Sequence, residues 1–351
     1  MRKRILIANE KYSDNIGDQA ISDAMLRYFE DLEILDVFSC DFSFRPGKKT
    51  ASRKKIRKPE KRIKIPKVLS KIKFFLKNLM KARSISLGNY DYAFIGGGQL
   101  ILSNSSFSVS MLLFCLMLRL KGTKIFVFSV GVGDRFTFLD AILYGWALKL
   151  CDGIYVRDER SKENLANKFR LECVVIPDIA FYLAGNIRET TGRNKDLVCP
   201  VDFEVYRRYR NEVGNECISL YQYQRIWVKI IKKCLSFEGC VGVNLGATTI
   251  KDLELCESLL PLFSEEELLS IELFYHDSWQ EFSKVALNCK RVYSGRMHAL
   301  ILAENKGCEA HPFIISNKIK SYKDECVGVC PNEFKISLIR IREKIFEDLR
   351  L

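Results

Sequence analysis

The chain has 351 residues, of which 48% are hydrophobic and 28% are charged, and its formal net charge is +13 at pH 7. This composition is sufficient for substantial hydrophobic cores and excludes an intrinsically disordered chain. The length exceeds what one hydrophobic core normally supports, so two domains are expected.

Membrane-spanning and metal-binding classes are also disfavoured by the sequence. No apolar run reaches the roughly 20 residues that a membrane span needs. The longest one, VSMLLFCLMLRL from Val109, ends in charged residues and predicts a buried helix. The N-terminal MRKRILIANE predicts a first strand and not a signal peptide. The 13 cysteines form no CxxC pair, which argues against zinc and a disulfide framework, so we expect buried thiols in a reducing cytoplasm.

The first half of the chain alternates strand-like and helical runs, which is typical of a parallel, doubly wound sheet. The strand-like runs are ILIAN, EILDVF, YAFIGG, KIFVFSV, GIYV and ECVVIP. Helical patterns cover residues 18–30, 108–120, 138–150 and 160–168. In such sheets ligands bind at the carboxyl ends of the strands. The residues predicted to form one rim at those ends are Asn15, Gly17, Asp18, Gly96, Gly97, Gly98, Gly131, Gly133 and Asp178.

Structural roles for several of these residues remain open alternatives. The glycine pair in SVGVGD suits close packing of a helix on a strand as well as ligand binding. The three consecutive glycines from Gly96 favour a close approach of the backbone to a ligand, because they serve packing poorly. Asp18 could serve as the N-cap of the first helix. Arg157 and Asp158, in YVRDERS, could pair with each other or with neighbours as a structural strut.

A strongly basic segment interrupts the first half. Between Arg45 and Arg83 there are 17 Lys or Arg residues and one acidic residue, Glu60, so the excess positive charge of the chain lies here. Over residues 63–81 apolar side chains recur at helical spacing. Such a helix suits the surface of an anionic membrane, and it equally suits packing on the first domain with a solvated basic face. Few aromatic residues and no recognisable module argue against nucleic acid as a partner.

The polar segment AGNIRETTGRNKD follows Leu183 and predicts a connection between two domains. Beyond it the alternation of strands and helices resumes, with strand-like runs LVCPV, CVGVNLG, SIELFYH, RVYS and HPFIIS. We therefore expect a first domain over residues 1–184, a second over 185–330, and a final helix over 331–351 that braces the pair.

The stretch SGRMHALILA, residues 294–303, contains the strongest candidates for catalytic and substrate-binding residues. A turn of small residues presents Arg296 and His298 ahead of an apolar helical run. Arginine offers a planar fork of donors to a carboxylate or phosphate, and histidine can move a proton near neutral pH. The start of the helix adds unpaired N–H groups. The set predicts a site for a small anionic substrate whose reaction needs proton transfer; the alternative is a surface arginine before a capped helix.

In their order and spacing these motifs resemble the polysaccharide pyruvyl transferase family, whose pattern reads N-x-G-D-x-A, G-G-G, R-D-x-x-S, P-D, R-x-H-A-x-x-x-A and a Lys four residues before an aromatic. The matching positions here are NIGDQA from Asn15, GGG from Gly96, RDERS from Arg157, PD ending at Asp178, RMHALILA from Arg296, and Lys318 before Tyr322. Two departures stand out. Gln19 replaces a frequent Glu, and VNLGATTI occupies the neighbourhood of an Asp-containing segment of the family.

The resemblance implies two Rossmann-like domains facing a central cleft, an α/β architecture of the glycosyltransferase-B type. It also implies transfer of the pyruvyl group of phosphoenolpyruvate to a sugar, with formation of a ketal and release of phosphate. Arg296 and Lys318 would hold the donor, His298 would act as acid–base, and Asp18 or Asp178 would serve the acceptor hydroxyl. No metal and no separate cofactor are required. The remaining expected substrate-binding residues are Asn15, Gly17, Gly96, Gly97, Gly98 and Arg157.

The implied acceptor is a sugar of a surface polysaccharide or of its lipid-linked precursor. This places the enzyme in the cytoplasm, at the inner face of the cell membrane, with residues 45–83 as the expected contact to an anionic membrane surface. Two other functions remain open. One is a nucleotide-sugar-dependent glycosyltransferase of the same architecture, and the other is a non-catalytic, membrane-docked assembly protein.

Overall fold

The computed structural model describes residues 2–32, 34–44, 67–185 and 192–348. The chain divides into two compact units. Unit 1 comprises Met1–Ser13 and Met25–Asp178, and unit 2 comprises Asp14–Ala24 and Ile179–Leu351. Each unit contains one parallel sheet with helices between its strands, as the alternating pattern of the sequence predicts.

Unit 1 is built on a six-stranded sheet of order β2-β1-β3-β4-β5-β6, in which every pair is parallel. The strands are β1 (Lys3–Asn9), β2 (Leu35–Asp41), β3 (Tyr92–Ile101), β4 (Lys124–Val132), β5 (Gly153–Val156) and β6 (Val174–Val175). The helices are α1 (Ile16–Glu30), α2 (Lys67–Ser86), α3 (Ser105–Arg119), α4 (Phe138–Leu148) and α5 (Glu159–Phe169). The inner strands are buried almost throughout, which explains their continuous apolar sequence.

Unit 2 is built on a five-stranded parallel sheet of order β11-β10-β7-β8-β9. The strands are β7 (Lys195–Cys199), β8 (Gly242–Ala247), β9 (Ile271–Tyr275), β10 (Cys289–Ser294) and β11 (Glu309–Pro312). The helices are α6 (Phe203–Tyr209), α7 (Leu220–Leu235), α8 (Ile250–Leu259), α9 (Glu265–Leu268), α10 (Trp279–Ala286), α11 (Met297–Glu304), α12 (Asn317–Glu325) and α13 (Pro331–Asp348).

The first half of helix α1 belongs to unit 2, although the sequence pattern groups residues 1–184 as one domain. Specific contacts account for this grouping. The Asp23 carboxylate accepts a hydrogen bond of 2.8 Å from the Trp279 indole and one of 3.0 Å from the Gln280 amide, both from helix α10. The motif that starts at Asn15 is therefore fixed to the same unit as Arg296.

The final helix, α13, packs within unit 2 on a 3₁₀ turn formed by Ile179–Leu183. The rings of Phe181 and Phe334 lie 4.4 Å apart, and the Arg342 guanidinium donates to the Tyr182 hydroxyl at 3.0 Å. These contacts fix the helix to the start of the long second segment of unit 2. That the helix braces both domains stays a prediction.

The predicted basic helix is present as α2, while residues 45–66 of the basic segment lie outside the described residues. Its apolar side chains do not form one buried face. Leu79 packs against the core, whereas Phe75, Leu76 and Met80 are exposed. Packing of the whole predicted apolar face on the first domain is therefore wrong. Over the described ranges, no helix combines the length and apolarity needed to cross a membrane.

Candidate active site

Arg296 is the N-cap residue of helix α11, directly after strand β10. Its backbone N–H donates to the Ser294 hydroxyl at 2.9 Å, so the small-residue turn also anchors the start of the helix. Every residue from Met297 to Glu304 is buried, which explains why the run after the motif is apolar on all sides. The predicted helix behind Arg296 and His298 is confirmed.

His298 lies in the first turn of α11 and packs against the start of helix α1. A Cβ atom placed on Gly17 would lie 2.7 Å from both Cβ and Nδ1 of His298, so only glycine permits this approach. Asn15 caps α1, because its side-chain oxygen accepts the Gly17 N–H at 2.9 Å and its carbonyl accepts the Asp18 N–H at 3.1 Å. The N-cap alternative for Asp18 is therefore wrong, since Asn15 is the cap and Asp18 is the third residue of the helix, in its first turn.

The Arg296 guanidinium makes a two-pronged ion pair with Asp252. Nη2 lies 2.7 Å from one carboxylate oxygen, and Nε lies 3.1 Å from the other. Asp252 is fully buried and also accepts the Thr248 hydroxyl and the Asp202 N–H, both at 2.8 Å. Four donors thus satisfy the carboxylate and fix the plane of the guanidinium. The arginine side chain remains 23% exposed, and its third nitrogen, Nη1, is not used by this carboxylate.

Sequence reasoning missed Asp252. The residue follows VNLGATTI, where the family pattern expects an Asp-containing segment, and its position three residues after Thr249 is typical of an ordinary helix start. Thr249 does cap helix α8, since its hydroxyl accepts the Asp252 N–H at 3.2 Å. The signal was therefore present but indistinguishable from a capping motif, because the ion pair joins residues 44 positions apart.

Three helix starts meet around these residues in unit 2. The start of α1 touches α11 through Gly17 and His298, and it meets the end of β8 where the Ile16 N–H lies 3.5 Å from the Thr248 carbonyl. The start of α8 is joined to the start of α11 by the pair of Asp252 with Arg296. Each helix start carries a partial positive charge. Helix starts of this kind, together with a guanidinium, can stabilise a small anion.

Tyr275, the last residue of β9, is a second residue that sequence reasoning missed. It is half-buried, and burial raises the pKa of its hydroxyl, with the negative charges of Asp277, Asp14 and Asp252 adding to the rise. The phenol therefore stays protonated at neutral pH and is a hydrogen-bond donor near this group of side chains.

Lys318 lies in the first turn of helix α12, also in unit 2, and is half-buried. Helix α12 packs on α11, where the Tyr322 hydroxyl donates to the Glu304 carboxylate. Burial raises the pKa of Glu304 to about 7, and the hydrogen bond from Tyr322 partly opposes this rise. The structure thus places Lys318 and Arg296 on neighbouring helices, while their separation in a donor complex stays a prediction.

The glycine-rich residues of unit 1 have structural reasons to be glycine. A Cβ atom on Gly96 would lie 1.8 Å from the Phe128 carbonyl oxygen on β4, so this position needs glycine for close strand pairing. Gly97 and Gly98 have φ angles of 75° and 78°, which glycine adopts without strain. Ser129, in the neighbouring strand, also has a positive φ, of 53°. These glycines lie inside β3 and not at its carboxyl end as predicted, because the strand continues to Ile101. A ligand role for Gly97 and Gly98 stays a prediction.

Arg157 and Asp178 form a buried ion pair in unit 1. Nη1 of Arg157 lies 3.3 Å from Asp178, and Nε lies 3.3 Å from Asp158. The side chain of Arg157 is 2% exposed, and a Cβ atom on Gly131 would lie 2.5 Å from its guanidinium. This geometry favours the structural alternative, in which the arginine links the ends of neighbouring strands.

Among the residues that the structure describes, no group of three or more His, Cys, Asp or Glu side chains is arranged to hold a metal ion. Arg296, His298 and the three helix starts make up the candidate site.

Comparison with solved structures shows the fold. The chain is similar to S. aureus MnaA solved with UDP (12% identity, TM-score 0.54), with 100% of this chain and 89% of that one covered. It is similar to the UDP-GlcNAc 2-epimerase of Methanocaldococcus jannaschii (12%, 0.54), with coverage of 97% and 92%. It is also similar to a putative UDP-N-acetylglucosamine 2-epimerase of Listeria monocytogenes (11%, 0.55), with coverage of 99% and 88%. The predicted glycosyltransferase-B type α/β fold with two Rossmann-like domains is thereby confirmed.

Comparison with protein families gives a match over most of the chain, whereas no curated protein sequence matches it. The family model described as polysaccharide pyruvyl transferase matches residues 15–317, which include every motif from Asn15 to Arg296. The chain belongs to the polysaccharide pyruvyl transferase family.

Proposed function

We propose that the protein transfers the pyruvyl group of phosphoenolpyruvate to a sugar of a surface polysaccharide or of its lipid-linked precursor. The observation that carries the proposal is the meeting of three helix starts around Arg296 and His298 in unit 2. A donor with a carboxylate and a phosphate on one small enol fits such a cluster, because both anionic groups need fixed positive partners.

The reaction needs a proton at C3 of the enol, which becomes the ketal methyl group. A sugar hydroxyl then forms a bond to C2, and a second hydroxyl of the same sugar displaces the phosphate from C2 to close the ring. The two hydroxyl protons balance the proton gained at C3 and the one carried away on the phosphate. No oxidant, reductant or separate cofactor enters this balance.

The residues of the site have distinct roles in this scheme. Arg296, oriented by Asp252, binds an anionic group of the donor through the edge that faces away from that carboxylate. Lys318 supplies a second cation on the neighbouring helix. His298 donates the proton to C3, since a histidine can both give and take a proton near neutral pH. Asp18, half-buried in the first turn of α1, accepts a proton from the acceptor hydroxyl.

The distinguishing event is protonation of the donor methylene. In deuterated water, with phosphoenolpyruvate and a lipid-linked glycan acceptor, we expect a product whose ketal methyl group contains deuterium, with one inorganic phosphate released per ketal. Proton and phosphorus magnetic resonance measure both. Consumption of a nucleotide-sugar with release of a nucleoside diphosphate would instead support the glycosyltransferase alternative, whose case rests on the similar folds of proteins solved with UDP or named for UDP-GlcNAc.

The proposed location is the inner face of the cell membrane, where a lipid-linked acceptor would be available. The basic segment between residues 45 and 83 supports this location by its charge, since each Lys or Arg near an anionic surface contributes about 1 kcal/mol. The two proposed partners are compatible, because the glycan acceptor would bind at the site while the anionic membrane surface would hold the enzyme close to its lipid-linked substrate.

A further inference from the structure

Three neighbouring helices of unit 1 leave a band of large apolar side chains in contact with solvent. Helix α2 packs on α3, and α3 packs on α4. Their inner sides belong to the core, as Ala82, Leu113 and Tyr144 illustrate. We call the outer side the apolar face, and its exposed residues are Phe75, Leu76, Met80, Leu116, Leu120, Phe138, Leu139 and Trp146.

Helix α4 contributes the most exposed part of the apolar face. Phe138 is 85% exposed, Leu139 58% and Trp146 60%. At the helical rotation of about 100° per residue these three side chains fall within one sector of about 100°. Tyr144 and Ala147 point the other way and are buried. The outward sector of α4 is therefore apolar, whereas the outward side of a solvated helix is normally polar.

Positive charge predominates along the apolar face. Helices α2, α3 and α4 contain a single acidic residue, Asp140, which is 2% exposed. Arg119, at the end of α3, pairs with Asp152 and is 46% exposed. The other exposed cations in and beside these helices are Arg83, Lys121, Arg135 and Lys149. Of the 17 Lys or Arg residues between residues 45 and 83, six lie within α2 and 11 precede it in the sequence.

We propose that the apolar face docks on an anionic lipid bilayer, with Phe138, Leu139 and Trp146 entering the interface between headgroups and acyl chains. Large apolar side chains flanked by cations, on helices that carry no exposed acidic residue of their own, complement an anionic, apolar surface. Tryptophan is favoured at this depth because its ring is apolar and its N–H is polar. The proposal assigns the insertion to α4, beyond the basic helix, and it does not depend on the reaction in unit 2.

Trp146 provides a direct probe of this docking. The chain has three tryptophans, and the other two, Trp227 and Trp279, are 0% and 6% exposed. With vesicles of phosphatidylcholine and phosphatidylglycerol, we expect the emission of the full-length protein to shift to shorter wavelength and to be quenched by lipids brominated on their acyl chains. Trp146→Phe should abolish the shift while the protein still floats with the vesicles.

Substitution of the inserting side chains separates docking from simple charge attraction. The double variant Phe138→Ser with Leu139→Ser should float at least about tenfold less at physiological ionic strength, where the Debye length of about 8 Å screens the lysines. Leu269→Ser is the matched control, because Leu269 is 89% exposed but lies in unit 2. Circular dichroism and thermal unfolding verify that each variant is folded, as expected for exposed positions.

Four results would overturn the proposal. One is equal flotation of the double variant and the wild type, and another is absence of wild-type binding to these vesicles. The third is a dimer in solution that the same double substitution dissociates, which would make the apolar face a protein interface. Loss of binding only in a Lys-to-Gln series along α2 would assign the contact to charge and not to α4.

Discussion

Two arginine–aspartate pairs lie at the carboxyl ends of parallel strands, one in each unit, and they differ in how much of the arginine remains accessible. In unit 1 the side chain of Arg157 is 2% exposed and that of Asp178 5%. In unit 2 the side chain of Arg296 is 23% exposed and that of Asp252 0%. The carboxylate is buried in both pairs. An accessible edge of the arginine is what separates a residue that can bind a ligand from one that only links strands.

The geometry of the two pairs agrees with this distinction. Arg157 divides its guanidinium between two carboxylates at 3.3 Å each, and Gly131 leaves no room beside it. Arg296 places two nitrogens on one carboxylate at 2.7 and 3.1 Å, a fork that holds its plane without occupying Nη1. Because the sequence does not show how deeply either arginine is buried, only the fold reveals which arginine is available.

The largest expected effect tests whether the chemistry resides in unit 2. His298→Ala should lower the turnover of pyruvyl transfer by about 10²–10⁴-fold, the usual contribution of a general acid or base, with a smaller change in KM for phosphoenolpyruvate. Steady-state kinetics measure both constants. The control is His311→Ala, since His311 lies on β11 and stacks on Tyr293 at 4.5 Å. If His298→Ala changes only KM and leaves turnover unaltered, His298 is not the proton-transfer residue.

The difference between the two arginines is tested by removing each of them in turn. Arg157→Ala should lower the free energy of unfolding by about 3–5 kcal/mol, because it leaves buried carboxylates without their cation. The folded fraction should keep its KM for phosphoenolpyruvate. Denaturant unfolding and kinetics on the same preparation give the two values. A large rise in KM at unchanged stability would place Arg157 in the donor site after all.

Arg296→Ala should weaken donor binding by about 2–5 kcal/mol, because a fixed cation is lost, and it should also lower stability, because Asp252 stays buried without its cation. Arg296→Lys is the informative partner variant, since it keeps a charge beside Asp252 but loses the planar fork. We expect it to recover stability more fully than affinity, as measured by donor titration calorimetry and thermal unfolding. Equal donor affinity of the wild type, Arg296→Ala and Arg296→Lys would exclude Arg296 from the donor site.

The alternation of strands and helices was predictable, because buried parallel strands are continuously apolar and the helices between them have a clear period. The placement of Asn15 and Arg296 at strand ends was predictable for the same reason. Their membership of one unit was not, because it depends on the Asp23 contact with Trp279, 256 residues away. Asp252 was not predicted, because its pairing with Arg296 depends on where the fold buries its carboxylate and not on a local sequence pattern.

The glycines show a different limit of sequence reasoning. Three consecutive glycines from Gly96 indicated an approach of the backbone to a ligand, yet a Cβ atom at Gly96 would collide with the Phe128 carbonyl. Gly17 stands in a motif without a glycine run, yet its missing side chain is what allows helix α1 to contact His298. A sequence shows that a side chain is absent, and the fold shows what occupies the space.

The smallest expected effect concerns Gly17, which sets how closely helix α1 approaches His298. Gly17→Ala would put a methyl group 2.7 Å from His298 Cβ and Nδ1, so one of the two segments must shift. Overpacking of this kind costs about 1–3 kcal/mol, and the better helix propensity of alanine offsets up to about 1 kcal/mol of it. The matched control is Gly185→Ala, also in unit 2, where an added Cβ meets nothing within 4 Å.

We expect Gly17→Ala to lower turnover together with a small loss of stability, because the imidazole of His298 is displaced from its position between two helix starts. Kinetics and thermal unfolding of both variants decide the matter: if Gly17→Ala behaves like Gly185→Ala, then the close approach of α1 to His298 is not needed for the reaction.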